Sequence, residues 1–209
     1  MAEIIRIHPD NPSERQLLRV LQVLQEGGVI IVPTDTVYSF ACDLLRPKAI
    51  ERIARIKGLK QKEYDFSIIF NDLSHLSHYT KPIDNSSFKV LKRCLPGPFT
   101  FILEAGNAVP KLFYSSKKTI GIRIPLHPTP TKLVEMLDRP LVVSSVHDPD
   151  DEVLEYATNP ELIDEKFGKQ VDLIVDGGLG DIHASTVVDL RSGSPEILRE
   201  GKGDIALLG

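Results

Sequence analysis

Several features that usually reveal a protein's class are scarce in this chain. Its 209 residues include two cysteines and no tryptophan, the aromatic fraction is 6%, and the formal net charge is −4. Two cysteines cannot form a disulfide framework, so we expect Cys42 and Cys94 to be reduced and packed in or near the core. The net negative charge argues against a protein that coats nucleic acid through bulk charge, although a local basic cleft stays compatible with it.

Long apolar segments are also missing. The apolar run at residues 29–32 is far too short to span a bilayer, and the N-terminal residues carry no apolar stretch of the kind found in signal peptides. We therefore expect a cytoplasmic protein without a membrane partner. The hydrophobic fraction of 42% and the charged fraction of 26% are ordinary for a globular protein of this length.

What the sequence does contain is an alternation of helix and strand signals. Capping residues, prolines and glycines predict helices between Ser13 and Gly27, between Pro47 and Gly58, after Asp84, over 130–138 and over 160–167. Short apolar runs predict strands at 29–32, 67–70, 99–103, 119–124, 141–144, 172–175, 186–189 and 196–199.

These signals predict an α/β protein with four or five helices and seven or eight strands. Parallel and antiparallel neighbours should be mixed, because several strand pairs lie too close in sequence for helical crossovers. No linker, repeat or shift in composition marks a boundary, so we expect residues 1–209 to form a single domain.

Three short motifs carry weak signals. Residues 177–180 (GGLG) follow a predicted strand and could direct backbone N–H groups at an anion, or form an ordinary tight turn. His75 and His78 have a spacing compatible with metal ligation, but no third ligand is evident. The acidic loop at 147–158 is either a mobile lid or a plain solvated loop. The sequence has no P-loop, no GxGxxG and no GxSxG elbow.

Polar residues at predicted strand ends are more informative, because ligands of α/β sheets bind beyond the carboxyl ends of strands. Residues 34–36 (TDT) follow one strand, and Ser145 follows another. Arg123 interrupts an otherwise apolar strand, and it faces either a cleft or, since strand faces alternate, solvent. Basic residues also cluster, although each cluster alone is consistent with a solvated face: Lys57, Lys60 and Lys62, Lys117 and Lys118, and Arg199 and Lys202.

Motifs spread along the chain resemble, in order, those of the YrdC/YciO family. The opening signature is matched by residues 28–38 (GVIIVPTDTVY), and later motifs are matched by 53–57 (IARIK), 96–100 (PGPFT), 118–125 (KTIGIRIP), 185–190 (STVVDL) and 197–201 (ILREG). The resemblance extends from about residue 10 to residue 205. It implies a twisted mixed α/β sheet with flanking helices and a basic concave cleft.

The resemblance also implies a chemistry. The family's best-known members make threonylcarbamoyl-AMP from threonine, bicarbonate and ATP for tRNA modification. By resemblance, Thr36 would contact threonine and Arg123 would hold its carboxylate through a charge-assisted fork. The residues that would face the nucleotide are Lys57, Thr119, Ser145 and Arg199. ATP with magnesium, rather than a tightly bound metal, is the implied cofactor.

The chain departs from the synthase pattern inside this implied site. Synthases carry Lys-x-Arg, whereas residues 57–59 read KGL; they carry Ser-x-Asn, whereas residues 145–147 read SVH. Leucine has no donor for a phosphate, and histidine cannot offer an amide's paired donor and acceptor. Ser39 replaces a glycine, and Phe70 stands where synthases often have histidine.

These departures resemble the YciO-type branch, whose members are often described as RNA-binding proteins similar to translation factors. The sequence therefore favours a YciO-type protein that binds a nucleotide, double-stranded RNA or transfer RNA in its cleft. The alternatives are an L-threonylcarbamoyladenylate synthase with altered phosphate contacts, and a different enzyme that uses ATP or an acyl phosphate. We expect Arg123→Ala to abolish anion binding without unfolding, unless Arg123 pairs with a buried carboxylate.

Overall fold

The computed structural model describes residues 1–60, 64, 66–110, 118–147 and 157–209. Most of the acidic loop at 147–158 lies outside these residues, and so do Lys62 and Lys117. Within the described residues, no helix is both long and apolar enough to cross a membrane. Cys42 and Cys94 are free and buried, as the sequence predicts.

Ten strands of the described residues form one sheet. They are β1 (Glu3–Arg6), β2 (Ile30–Val32), β3 (Ser39–Asp43), β4 (Ser67–Ile69), β5 (Phe99–Glu104), β6 (Thr119–Arg123), β7 (Leu141–Ser145), β8 (Leu173–Asp176), β9 (Thr186–Asp189) and β10 (Glu196–Arg199). Their order across the sheet is β1-β8-β2-β3-β7-β4-β6-β5-β9-β10. The sheet is mixed, with parallel pairs such as β1 with β8 and antiparallel pairs such as β3 with β7.

Six α-helices and a C-terminal 3₁₀ helix (Ile205–Leu208) accompany the described strands. The α-helices are α1 (Glu14–Gln25), α2 (Pro47–Ile56), α3 (Leu76–Tyr79), α4 (Asn85–Cys94), α5 (Pro128–Leu137) and α6 (Pro160–Phe167). The carboxylate of Asp84 caps α4 by accepting hydrogen bonds from the N–H groups of Ser86 and Ser87. Ser13 precedes α1 in an extended conformation, but its side chain makes no capping hydrogen bond.

The predicted fold class, a mixed α/β sheet with flanking helices, is confirmed, but the predicted number of elements is too small. The sequence analysis missed β1, β3 and α3. β1 is a short edge strand without a buried residue, β3 begins and ends with the buried polar residues Ser39 and Asp43, and α3 is a single turn. Such elements lack the apolar periodicity on which prediction depends. That residues 1–209 form one domain stays a prediction.

The helices cover the two faces of the sheet unequally. Helices α2, α4 and α6 pack on one face, where apolar residues from nearly every strand form the larger core cluster. Helices α1 and α5 pack on the other face, but the core cluster there takes its strand residues from β2, β3, β4, β7 and β8 alone. The second face of β5, β6 and β9 is therefore left without a helical layer in the described part of the chain.

Candidate functional site

A cavity of about 270 Å³ lies over this uncovered part of the sheet. Successive residues of a strand point to opposite faces, so each strand contributes alternate side chains to the cavity. On β6 and its neighbour β5, for example, Ile122 and Phe101 are fully buried in the larger core, whereas Arg123, Thr100 and Ile102 line the cavity. Ile122 and Ile124, on either side of Arg123 in sequence, both belong to the larger core.

Small residues create the space in the cavity floor. Ser67 of β4 is paired with Val143 on one side and with Gly121 on the other, and Gly121 is paired with Ile102. A Cβ atom on Gly121 would lie 2.8 Å from Ser67 Oγ and 3.1 Å from Thr100 Cγ2. A side chain at position 121 would therefore displace its neighbours, while the short side chain of Ser67 leaves room above the floor, where it borders the cavity.

Arg123 is the most buried charged group that lines the cavity, with only 6% of its surface exposed. Its Nη2 donates to Asp35 Oδ1 at 2.9 Å and to Thr36 Oγ1 at 2.8 Å. Its Nε is buried and meets no acceptor in the described residues. Burial lowers the pKa of Arg123, while the neighbouring Asp35 opposes this shift; the guanidinium nevertheless stays protonated, as arginine does in proteins.

Asp35, the carboxylate partner of Arg123, lies on the loop that follows β2, and its side chain is 8% exposed. Its Oδ2 accepts from the backbone N–H of Leu126 at 3.0 Å, so both carboxylate oxygens have partners. The backbone carbonyl of Asp35 accepts from Lys202 Nζ, which also pairs with Asp181 at 2.8 Å. Arg123 thus pairs with a buried carboxylate, which is the case in which its truncation is expected to cost stability.

The opposite wall of the cavity combines a cation with an aliphatic side chain. Lys57, which directly follows α2, donates from Nζ to the carbonyl oxygens of Ser145 at 2.8 Å and His147 at 3.2 Å. The half-buried side chain of Leu59 borders the cavity beside it. The N–H of His147 donates to Ser145 Oγ at 3.1 Å. Lys57 therefore fixes the turn that carries Ser145 and His147.

A β-bulge brings Arg199 to the cavity. Ile197 of β10 is paired with Val188 of β9, but Arg199 is paired with Val187, so the register shifts between the two pairs. Bulges re-aim side chains in this way and are common beside functional sites. The Arg199 guanidinium donates from Nη2 to the Ser185 carbonyl oxygen at 2.8 Å.

Five of the six site residues suggested by the resemblance line this one cavity: Thr36, Lys57, Arg123, Ser145 and Arg199. Thr119 does not border the cavity. It begins β6 opposite Glu104 and lies on the same strand face as Arg123, but four residues away along the strand. The side chains at both departures, Leu59 and His147, are also part of the lining.

Sequence reasoning missed several lining residues. Ser67, Thr100 and Ser185 place hydroxyl groups in the cavity, and the hydroxyls of Thr100 and Ser185 are 2.7 Å apart. The sequence feature that could have indicated these residues is a serine or glycine inside an otherwise apolar strand, as at Ser67 and Gly121. Such residues suggest a hollow only after the strands are known to be neighbours.

The remaining motifs do not contribute to this cavity. In residues 177–180 the N–H groups of the three glycines donate to Tyr38 Oη, Asp176 Oδ1 and the Thr158 carbonyl oxygen. The segment is therefore a turn rather than an anion site. His75 and His78 border a separate groove, and the described residues contain no group of three histidine, cysteine or acidic side chains placed to hold a metal ion.

Comparison with known proteins agrees with this architecture. The sequence profile of the Sua5/YciO/YrdC family, which carries the description "Telomere recombination", matches residues 22–201. YciO of Escherichia coli K12 is 39% identical over 206 residues, which make up 98% of each chain. The crystal structure of E. coli YciO superimposes over the full length of both chains with a TM-score of 0.92 at 38% identity.

More distant relatives are named as enzymes. The threonylcarbamoyl-AMP synthase of Pyrococcus abyssi is 30% identical over 179 residues, which cover 85% of this chain and 52% of the synthase. The crystal structure of P. abyssi Sua5 complexed with L-threonine gives a TM-score of 0.84 at 28% identity, over 95% of this chain and 57% of that one. This chain thus spans about half the length of that relative. The profile match and the similarity to YciO show that the chain belongs to the Sua5/YciO/YrdC family.

Proposed function

We propose that the cavity binds a nucleotide, held through an anionic group at Arg123 and Arg199. The observation that carries this proposal is at Arg123, which lines the cavity and whose Nε is a buried donor that meets no acceptor among the described residues. An unsatisfied buried donor costs about 1–3 kcal/mol. An oxygen of a bound phosphate or carboxylate would remove that cost, and a charge-assisted hydrogen bond is stronger than a neutral one.

The other lining groups suit the uncharged parts of a nucleotide. Hydroxyl groups of Ser39, Ser67 and Thr100 can donate to or accept from ribose and carbonyl oxygens. Ile102 and Val187 offer apolar surface to a base or an acyl group. No described lining residue carries a carboxylate, so an anionic ligand meets no like charge in direct contact.

Calorimetric titration with AMP and ATP tests this proposal on the wild type and on Arg199→Ala. Arg199 lies on an exposed bulge, so the variant should fold, and its affinity for both nucleotides should fall by about tenfold or more because one charged contact is lost. Arg191→Ala is the matched control, since Arg191 pairs with Asp189 and does not line the cavity. Undetectable binding by the wild type, or equal affinities in both variants, would contradict the proposal.

A second candidate is threonylcarbamoyl-AMP synthesis, favoured by the similarity to P. abyssi Sua5 and by the convergence of five suggested residues on one cavity. Leu59 offers no donor where synthases carry arginine. Loss of one donor to developing negative charge typically lowers kcat by about 10²–10³-fold. We therefore expect pyrophosphate release from ATP, threonine and bicarbonate to be far slower than for the P. abyssi synthase.

Two substitutions test whether the departures cause this loss. The double variant Leu59→Arg, His147→Asn should raise the rate of pyrophosphate release if the rest of the cavity supports the reaction. A wild-type rate equal to that of the synthase would show that the departures do not matter. A double variant that binds nucleotide but stays inactive would argue against this second candidate.

A further inference from the structure

The side chains around the cavity carry only a small positive charge with which to balance the charge of phosphate groups. Lys57, Arg123 and Arg199 border it, and Asp35 contacts Arg123, so three positive charges and one negative charge leave a formal +2. Arg123 has its charge offset at 2.9 Å by Asp35. Each further phosphate on a nucleotide adds negative charge that this set of side chains must balance.

The ammonium of Lys57 is turned towards protein oxygens. It donates to the carbonyls of Ser145 and His147 at 2.8 and 3.2 Å. The ammonium has three N–H donors, and drawing it onto a phosphate would weaken the two bonds that hold the turn at residues 145–147. Lys57 therefore serves first to hold the wall of the cavity.

The surfaces next to Lys57 are uncharged. Leu59 supplies an aliphatic wall, and Val143 and Ile102 add apolar surface to the floor. Anionic oxygens lose hydration when they are buried against aliphatic side chains, which offer no hydrogen bond in its place. A sugar, a base or an acyl group suits this surface better than a second and third phosphate.

We propose that the cavity selects a nucleoside monophosphate over the corresponding triphosphate. This inference rests on the proposed nucleotide binding and specifies the ligand class. The single phosphate lies at Arg123 and Arg199, and the uncharged part of the ligand lies against Leu59 and Ser67.

Calorimetric titrations of the full chain with AMP, ADP and ATP, with and without Mg²⁺, test the selection. AMP should bind about tenfold or more tightly than ATP under both conditions. Leu59→Arg should raise the affinity for ATP by about tenfold while changing that for AMP by less than about threefold. The matched control is Leu45→Arg, because Leu45 is 59% exposed and lies outside the cavity; it should change neither affinity.

The outcomes separate this inference from the proposed function. If no nucleotide binds, the proposed function fails and the inference fails with it. If ATP binds as tightly as AMP or more tightly, nucleotide binding stands and the selection of monophosphates is refuted. Thermal melting verifies that Leu59→Arg is folded; if it is not, Leu59→Lys takes its place, with the same expected gain for ATP. A gain in ATP affinity in Leu45→Arg would also refute the role assigned to Leu59.

Discussion

The ion pair between Arg123 and Asp35 links the cavity to the loop after β2. Arg123 lines the cavity, its Nε meets no acceptor among the described residues, and its Nη2 is held by Asp35 and Thr36. Asp35 in turn is held by the backbone N–H of Leu126 and by Lys202. An arginine that lines the cavity can therefore also stabilise the fold, because removing either partner leaves the other charge buried without compensation.

We predict that Arg123→Ala lowers the free energy of unfolding by about 3–5 kcal/mol, since it leaves the Asp35 carboxylate buried and unpaired. Urea denaturation measures this change. Removing both partners in Arg123→Ala, Asp35→Ala should cost less than the sum of the two single substitutions. The control is Arg19→Ala, which should leave the free energy of unfolding nearly unchanged because Arg19 and its partner Glu3 are exposed to solvent. Equal effects of Arg123→Ala and Arg19→Ala would show that the buried pair contributes nothing to stability.

At the level of elements, the irregular places matter most for the cavity. The bulge in β10 sets Arg199 opposite Val187, and Lys57 directly follows the last residue of α2. A regular β10 would change the side of the sheet to which Arg199 points, since one residue of shift reverses a strand's faces. The positions of Arg199 and Lys57 at the cavity thus depend on the bulge in β10 and on the residue at which α2 ends.

Helix caps supply a matched pair of substitutions at this scale. The side chain of Asn159 caps α6 by accepting from the N–H of Glu161 at 2.9 Å. We predict that Asn159→Ala lowers the free energy of unfolding by about 1 kcal/mol. Ser13→Ala, at the α1 cap whose side chain makes no such bond, should change it by less than about 0.5 kcal/mol. Chemical denaturation compares the two, and a larger loss in Ser13→Ala would contradict the assignment of the caps.

At the scale of the whole molecule, the unequal helical coverage of the sheet produces the candidate site. Helices α1 and α5 pack over β2, β3, β4, β7 and β8, and the neighbouring half of the same face carries the cavity. The cations Arg123, Arg199 and Lys57 are concentrated there, although the chain as a whole has a net charge of −4. Local charge, rather than net charge, therefore governs what the cleft attracts.

We predict that any binding of RNA is electrostatic and largely independent of sequence. The chain has no tryptophan and an aromatic fraction of 6%, so it lacks a platform on which bases could stack. Affinity for a transfer RNA should fall by about tenfold or more between about 50 and 200 mM salt, because binding releases counterions. Filter binding of a double-stranded RNA and its scrambled counterpart should give matching affinities. Affinity that does not change with salt would contradict this prediction.

The sequence by itself determined the types of most elements and the family to which the chain belongs. Apolar runs marked eight of the ten strands, and prolines, glycines and capping residues marked five of the six α-helices. These are local signals, because hydrogen bonding and side-chain periodicity within one segment produce them. The ordered motifs further indicated the family and five residues that line the cavity.

Only the tertiary structure decided how those residues meet. Asp35 is 88 positions away from its partner Arg123, the bulge in β10 turns Arg199 to the cavity, and Thr119 falls outside it. The order of the strands and the coverage by helices set these relations. Contacts between distant segments depend on which elements become neighbours, and the local pattern of a single sequence does not encode that choice.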